Sequence, residues 1–282
     1  MIADIVLRDS TRGMDTLYKH LPTDLYEKAA SDLLTKERDR NILLFTGFAS
    51  EGQQETDGPV GTYFLAKALF GLGFYPVIIS DHYCKGYFDQ AEQNFETLIV
   101  PLKGFGESFM YSKIIETYNP VALISIERPG RSKDGHYRNM NGQIIDGQNA
   151  PLDLFFEVEN EIMSIGIGDG GNEIGFGKYT DLMVSLLDYD APCEVPTDHC
   201  LVATTSNWAA YGLIAALDKS QLPFEKELIS YYKYIVEKGA VDGVTGEATV
   251  SVDGIPLAKS LAVLRDLKNI DESSSKTHET AK

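Results

Sequence analysis

Short apolar runs alternate with segments of helical pattern along most of this 282-residue chain, and this alternation limits the folds available to it. The runs that we predict to be strands cover residues 41–46, 75–80, 96–101, 121–126, 162–167 and 199–204. Strands separated by helices usually pair in parallel, with helices covering both faces of the sheet. The pattern therefore predicts an α/β fold with a mostly parallel sheet and a ligand crevice at the carboxyl ends of its strands.

The segments between these runs have the apolar spacing of helices. We predict helices over residues 14–20, 24–38, 61–72, 107–118, 152–161, 173–187, 206–219, 224–238 and 257–268, and turns around a short hairpin over 241–254. No linker clearly splits the chain, so we expect a single domain over residues 1–270. Residues 271–282 are polar and poor in apolar side chains, which predicts a mobile tail.

The net charge of −17 argues against nucleic acid and anionic membranes as partners, since both bind through concentrated lysine and arginine. No apolar run is long enough to cross a membrane, and the first residues lack the pattern of a signal peptide. Cys84, Cys193 and Cys200 show no C-x-x-C spacing, which argues against a disulfide framework and a thiolate zinc site. We expect a cytoplasmic protein, and the sequence leaves an oligomer open.

A glycine-rich turn follows the predicted strand at 162–167. Residues 166–175 read Gly-Ile-Gly-Asp-Gly-Gly-Asn-Glu-Ile-Gly, which places five glycines in ten positions. Such a turn between a strand and a helix presents free backbone N–H groups and a helix N-terminus to a ligand. Because Asp169, Asn172 and Glu173 lie in the same turn, we predict a site for a cation or an amine.

Two other interpretations of this turn compete with that one. Gly166, Gly168 and Gly171 match the G-x-G-x-x-G spacing of a dinucleotide site. Asp169 would repel a pyrophosphate there, and no strand ending in an acidic residue follows at the distance expected for ribose binding, so we predict no nucleotide. A purely structural turn remains the alternative.

A second acidic loop follows the predicted strand at 41–46, where Glu51, Glu55 and Asp57 precede a helix. Acidic residues at a helix start are often explained by the helix dipole alone. If they instead share the crevice with the glycine-rich turn, their oxygen ligands suit a hard divalent cation such as Mg²⁺, Mn²⁺ or Ca²⁺. The metal ligands that we predict are Glu55, Asp57, Asp169 and Glu173.

A long basic loop over residues 127–150 breaks the alternation of helix and strand. Glu127 directly follows a strand and should lie at the edge of the sheet. Arg128, Arg131 and Arg138 have the planar guanidinium that binds carboxylates with two hydrogen bonds. The alternative is a solvated loop whose charges neutralise one another, but loops of this length are usually functional or disordered.

Several blocks of the chain together resemble the D-glutamate cyclase family, in particular the C-terminal domain that its members share. They are Glu55-Thr56-Asp57-Gly58-Pro59, Ile126-Glu127-Arg128-Pro129-Gly130-Arg131, the glycine-rich turn, Ser206-Asn207-Trp208 and Val241-Asp242-Gly243-Val244-Thr245. The resemblance runs from about residue 10 to residue 268. It implies conversion of D-glutamate, a small amino acid substrate, to 5-oxo-D-proline with loss of water.

We assign roles to these residues from the needs of that reaction. Glu127 and Asp169 are the candidate catalytic residues, either of which accepts the proton of the amine. A divalent ion held by Asp57, Asp169 and Glu173 polarises the γ-carboxyl group. The residues to which we assign substrate binding are Arg128, Arg131, Gly170, Gly171, Asn172 and Asn207.

Other functions are compatible with the same residues. A divalent ion in an acidic pocket also serves phosphatases and other hydrolases of small anionic metabolites, and a non-catalytic metabolite sensor needs only the pocket. A further account gives the neutralising charge to Arg128, Arg131 and Lys178 and needs no metal.

Overall fold

The structure is a computed structural model that describes residues 1–90, 95–103, 106–157 and 161–270. The predicted tail at 271–282 and the end of the helix predicted at 152–161 lie outside the described residues. None of the helices in the described ranges is long and apolar enough to cross a membrane.

A six-stranded sheet forms the centre of the fold, and all of its neighbouring strands pair in parallel. This confirms the predicted α/β class. The strands are β1 (Asn41–Thr46), β4 (Tyr75–Asp81), β5 (Glu96–Val100), β6 (Ala122–Ile126), β7 (Met163–Gly168) and β8 (His199–Val202). Their order is β5-β4-β1-β6-β7-β8, so the chain leaves β1 toward one edge and later resumes at β6 toward the other. This reversal lies between β1 and β6, and the carboxyl ends of the strands there are the expected place for a ligand.

Two short antiparallel pairs accompany the sheet: β2 (Ala49–Ser50) with β3 (Gln53–Gln54), and β9 (Ser251–Val252) with β10 (Ile255–Pro256). The second pair forms a hairpin over residues 251–256, which overlaps only the end of the range 241–254 where we predicted turns around a hairpin. The helices are α1 (Ile2–Val6), α2 (Met14–Tyr18), α3 (Leu25–Leu34), α4 (Pro59–Gly71), α5 (Glu107–Tyr118), α6 (Thr180–Leu187), α7 (Ser206–Asp218), α8 (Glu225–Glu237) and α9 (Leu257–Lys268).

Both faces of the sheet are covered. Because successive residues of a strand point to opposite faces, each strand contributes side chains to two cores. In β1, Ile42 and Leu44 pack into the larger core with α3, α4 and α7, whereas Leu43 and Phe45 pack into a smaller core with Tyr111 of α5. Strands buried on both faces read as continuous apolar runs, which is why β1 was recognisable in the sequence.

The structure corrects two details of the predicted helices and shows how α7 begins. The helix predicted at 173–187 begins only at Thr180, because the amides of Gly175 and Gly177 donate to Val195 O and hold that segment against another loop. The helix predicted at 152–161 is a 3₁₀ helix over Leu152–Phe156 in the described residues. Thr205, which precedes Ser206, caps α7 by accepting a hydrogen bond from the Trp208 amide at 3.2 Å.

Candidate active site

Three carboxylates that follow three different strands meet at the carboxyl edge of the sheet. Asp57 lies in the loop after β1, Glu127 directly follows β6 and Asp169 directly follows β7. Each offers an oxygen atom, and these three atoms lie within 4.8 Å of one another. We call these residues the acidic group. All three side chains are buried, so their charges cannot be screened by bulk water.

The N-terminus of α7 holds Asp57 in place. The amides of Ser206 and Asn207 donate to its two carboxylate oxygens, each at 2.8 Å. The first turn of a helix carries unpaired N–H groups and a partial positive charge, and both stabilise a carboxylate. Asp57 therefore approaches the acidic group from a fixed direction.

Asn207 is a positioning residue in this geometry. Its Oδ1 atom accepts hydrogen bonds from the Gly58 and Gly61 amides at 3.1 and 2.6 Å. Its Nδ2 atom donates to Thr56 O and Tyr232 Oη. The side chain that we predicted to bind substrate is thus fully used in fastening the Asp57 loop to α7.

Glu127 adopts a left-handed backbone conformation with φ 46°. The Ser206 hydroxyl donates to its Oε2 atom at 2.5 Å. Gly58 packs against it so closely that a Cβ atom at that position would lie 2.7 Å from the Glu127 Cβ. Glycine at position 58 therefore leaves room for the glutamate to turn toward the other two carboxylates.

The glycine-rich turn binds its own side chain. The amides of Asp169, Gly170 and Gly171 donate to the Glu173 carboxylate at 3.2, 2.9 and 2.7 Å. The prediction that this turn presents free N–H groups and a helix N-terminus is wrong, because Glu173 consumes those groups and α6 starts later. Glu173 lies outside the acidic group, although we predicted it as a metal ligand, and the same bonds occupy Gly170 and Gly171.

Two residues for which no site role was predicted, Arg12 and Asp253, also contribute charges to the site. Arg12, in the turn between α1 and α2, forms ion pairs through Nη1 with Asp169 and, at 3.0 Å, with Asp253 of the β9–β10 turn. The side chain of Asp253 is 6% exposed and that of Arg12 is 19% exposed. Neither residue lies in a pattern that separates it from an ordinary turn, so no local signal reveals it.

The arginines that we predicted to bind substrate have protein partners instead. The Arg128 guanidinium is buried, pairs with Asp81 at 2.8 Å and donates to the carbonyls of Gly47 and Ala150. Arg131 pairs with Asp153 and Glu157. Both guanidinium groups thus tie the basic loop to its surroundings.

A cleft of about 500 Å³ opens beside the acidic group. It is lined by residues of the loops around 48–55, 139–141 and 241–246, together with Arg12, Glu127 and Asn172. Asn172 is buried, and its Nδ2 atom donates to Arg138 O, while Oδ1 has no hydrogen-bond partner among the described residues. A more open groove of about 1160 Å³ runs along the start of α6, but no member of the acidic group lines it.

Burial and mutual repulsion disfavour the charged forms of these carboxyl groups. Burial is the largest cause that raises the pKa of Asp57, Glu127 and Asp169, and neighbouring carboxylates raise it further. The amides of α7 act in the opposite direction on Asp57, and Arg12 does so on Asp169. Burial likewise raises the pKa of Glu55, which lines the cleft, to about 8. If they were ionised together, these carboxylates would carry more negative charge than Arg12 alone neutralises, which is why their neutral forms are favoured.

The comparisons with known proteins agree with the resemblance seen in the sequence. The model of a family described as "D-glutamate cyclase-like, C-terminal" matches residues 2–268. The chain belongs to this family. The human protein named "D-glutamate cyclase, mitochondrial" is 31% identical over 206 residues, which cover 65% of this chain and 33% of the human protein. The D-glutamate cyclase-like chain thus spans about a third of that relative's length.

A solved structure of an exopolyphosphatase-related protein from Bacteroides fragilis also aligns with this D-glutamate cyclase-like chain. The alignment covers 90% of the chain and 60% of the other, with a TM-score of 0.44 and 10% sequence identity.

The acidic group has a donor set that could hold a metal ion. Its donors are carboxylate oxygens, which hard divalent cations prefer. The Oδ2 atom of Asp169 is buried and has no hydrogen-bond partner among the described residues. Of the metal ligands that we predicted, Asp57 and Asp169 belong to the group and Glu55 and Glu173 do not, while Glu127 takes the third place.

Replacing Arg128 with glutamine is expected to lower the free energy of unfolding by about 3–5 kcal/mol, because Asp81 would remain buried without its counter-charge. Urea denaturation measures this change. Arg265→Gln, which removes an exposed pair with Glu225, is the matched control and should cost about 1 kcal/mol or less. A stable Arg128→Gln protein with a raised KM would instead favour the substrate-binding role.

Proposed function

We propose that this protein catalyses the cyclisation of D-glutamate to 5-oxo-D-proline with release of water. The observation that carries the proposal is the buried acidic group beside a cleft, in a chain that belongs to the D-glutamate cyclase-like family. The human relative's name supports the same substrate.

The reaction closes a five-membered ring within one molecule. The amine nitrogen attacks the γ-carboxyl carbon, so a C–N bond forms and a C–O bond breaks. The nitrogen of the ammonium group loses two protons in total, and the departing γ-oxygen takes both and leaves as water. Holding the substrate in a folded conformation removes much of the entropic barrier, because both reacting groups belong to the same chain of atoms. The protein must still accept a proton and stabilise the departing oxygen.

We assign the role of base to Glu127. Of the acidic group, it is the member that lines the cleft. Ser206 occupies its Oε2 atom, while Oε1 has no hydrogen bond to a described residue. In the ionised form, which a cation bound by the acidic group would favour, Oε1 can accept the proton of the amine. The left-handed backbone at Glu127 directs this group away from the continuation of the strand.

The acidic group would hold a divalent cation through Asp57, Asp169 and Glu127. Such an ion supplies charge neutralisation and Lewis-acid polarisation of the γ-carboxyl group. The role of the protein is to keep these ligands fixed, which the amides of α7 do for Asp57 and the Arg12 ion pair does for Asp169.

Mass-spectrometric detection of 5-oxoproline tests the proposal. The purified protein is incubated with D-glutamate and, separately, with L-glutamate in the presence of Mn²⁺, and Glu127→Gln is the matched control. We expect product from D-glutamate at a rate at least 10²-fold above that of Glu127→Gln, the scale of a positioned base. Product formation no faster than without protein would overturn the proposal, and release of phosphate from small phosphate esters would then favour a hydrolase.

A further inference from the structure

We infer that Arg12 binds the α-carboxylate of the substrate and selects ligands that carry a free carboxylate next to the amine. The assignment to the α-carboxylate rests on the proposed cyclisation. The carboxylate-binding role itself rests on the geometry of the side chain.

Among the described residues, the guanidinium of Arg12 has partners for one of its three nitrogen atoms. Nη1 makes both ion pairs, to Asp169 and Asp253, whereas Nε and Nη2 donate to no residue in the described part of the chain. The edge formed by Nε and Nη2 is the fork that binds a carboxylate with two parallel hydrogen bonds. Arg12 lines the cleft, and its side chain is 19% exposed, so a ligand in the cleft can reach this edge.

The ion pairs orient the free edge. Asp169 is wholly buried and Asp253 nearly so, which anchors Nη1 at the floor of the site. A guanidinium held at one corner keeps its plane and loses little further freedom when a ligand binds. In the basic loop over residues 127–150, by contrast, Arg128 and Arg131 are engaged with protein partners.

Two further polar side chains of the cleft, Asn172 and Glu127, suit the amine of the substrate. Asn172 presents a buried Oδ1 acceptor with no partner among the described residues, in the same cleft as Arg12 and Glu127. An ammonium group donates hydrogen bonds and accepts none, so it suits Asn172 Oδ1 and Glu127. With the α-carboxylate on Arg12, the γ-carboxyl group of a five-carbon dicarboxylate extends toward the acidic group.

The competing account gives Arg12 a purely neutralising role inside an acidic site. The two accounts differ in what happens when the substrate loses its α-carboxylate charge. D-Glutamate α-amide keeps the amine and the γ-carboxyl group, so it still contains the reacting atoms but offers Arg12 no carboxylate.

The test compares D-glutamate with its α-amide, in both kcat/KM and calorimetric affinity, on the wild type, Arg12→Gln and Arg12→Lys, with Mn²⁺ present. The wild type should favour D-glutamate by roughly 10–150-fold, the range of charge-assisted hydrogen bonds of about 1.5–3 kcal/mol. Arg12→Gln should reduce this preference to a few-fold, mainly by lowering the affinity and kcat/KM for D-glutamate. Arg12→Lys keeps the positive charge but not the planar pair of donors, so its preference for D-glutamate should lie between those of the wild type and Arg12→Gln.

Arg8→Gln is the matched control, because Arg8 lies in the same N-terminal segment but pairs with Asp266, and it should keep the full preference. If Arg12→Gln and Arg12→Lys lowered kcat/KM and affinity equally for D-glutamate and its α-amide, the inference would be overturned and the neutralising account would stand. If Arg12→Gln does not fold, Arg12→Lys decides between the two accounts. If the wild type binds D-glutamate in preference to the α-amide but forms no 5-oxoproline, the proposed cyclisation is contradicted and the carboxylate-binding role of Arg12 is retained. If the wild type binds neither ligand, both the cyclisation and the role of Arg12 are contradicted.

Discussion

Asp169→Asn is expected to lower kcat for 5-oxoproline formation by roughly 10²-fold or more, the scale of a positioned acid–base or charge-stabilising group. The asparagine keeps the shape of the side chain and the backbone amide that donates to Glu173. It removes the charge of one of the three carboxylates of the acidic group and, with it, one of the two ion pairs of Arg12.

The same substitution should leave the protein folded. Burial raises the pKa of Asp169, and repulsion from Asp57 and Glu173 adds to this effect, so the ionised carboxylate is itself costly in the folded state. We therefore expect a melting temperature close to that of the wild type in chelator. Asp181→Asn makes the same chemical change at an exposed position of α6 and should retain full turnover. Wild-type kcat in a folded Asp169→Asn protein would remove Asp169 from the mechanism.

Removing divalent cations with EDTA is expected to lower turnover by roughly 10³-fold, because a Lewis acid contributes several kcal/mol to stabilising the departing oxygen. Activity should return on addition of Mg²⁺, Mn²⁺ or Ca²⁺, with the strongest response identifying the preferred ion. Binding to the folded state alone also raises stability, by about 2.7 kcal/mol at a cation concentration 100 times Kd. Calorimetric titration and thermal melting of the EDTA-treated protein measure both effects.

Paired variants locate the ion. Asp57→Asn removes a member of the acidic group and should weaken binding by at least about tenfold, which is 1.4 kcal/mol. Glu55→Gln removes a carboxylate that lines the cleft outside that group and should have a much smaller effect. Full activity in chelator, together with no binding below millimolar concentration, would favour the account in which arginine supplies the neutralising charge.

The sheet was predictable because its physical signal is local. Five buried residues in succession in β1 and in β6 are apolar or small, as strands covered on both faces require. The same property located the acidic group, since Glu127 and Asp169 immediately follow strands and parallel strands end at one edge. The role of Asp57 was harder to predict, because an acidic residue before a helix is also explained by its favourable interaction with the helix dipole.

The other residues of the site have roles that depend on where their side chains point and which groups they reach in the folded chain. Short sequence patterns do not contain this information. Arg128 was assigned to substrate because it is basic and lies near a strand end, yet its partner Asp81 comes from another strand. Glu173 was assigned to a metal, yet its spacing allows it to reach back to the amides of its own turn. Arg12 and Asp253 lie in turns of unremarkable composition, and only the folded chain brings them to the acidic group.

The ion pair between Arg12 and Asp253 joins residues 241 positions apart. Contacts of such long separation form late, because closing the intervening chain costs entropy before the contact repays it. The acidic group comes from residues 57–169, which lie between those two positions, so the sheet can assemble while its guanidinium neighbour is still absent. In a refolding experiment, the recovery of turnover would then lag behind the recovery of the circular dichroism signal. The interval between the two would measure how long the segments that carry Arg12 and Asp253 take to pack against the sheet.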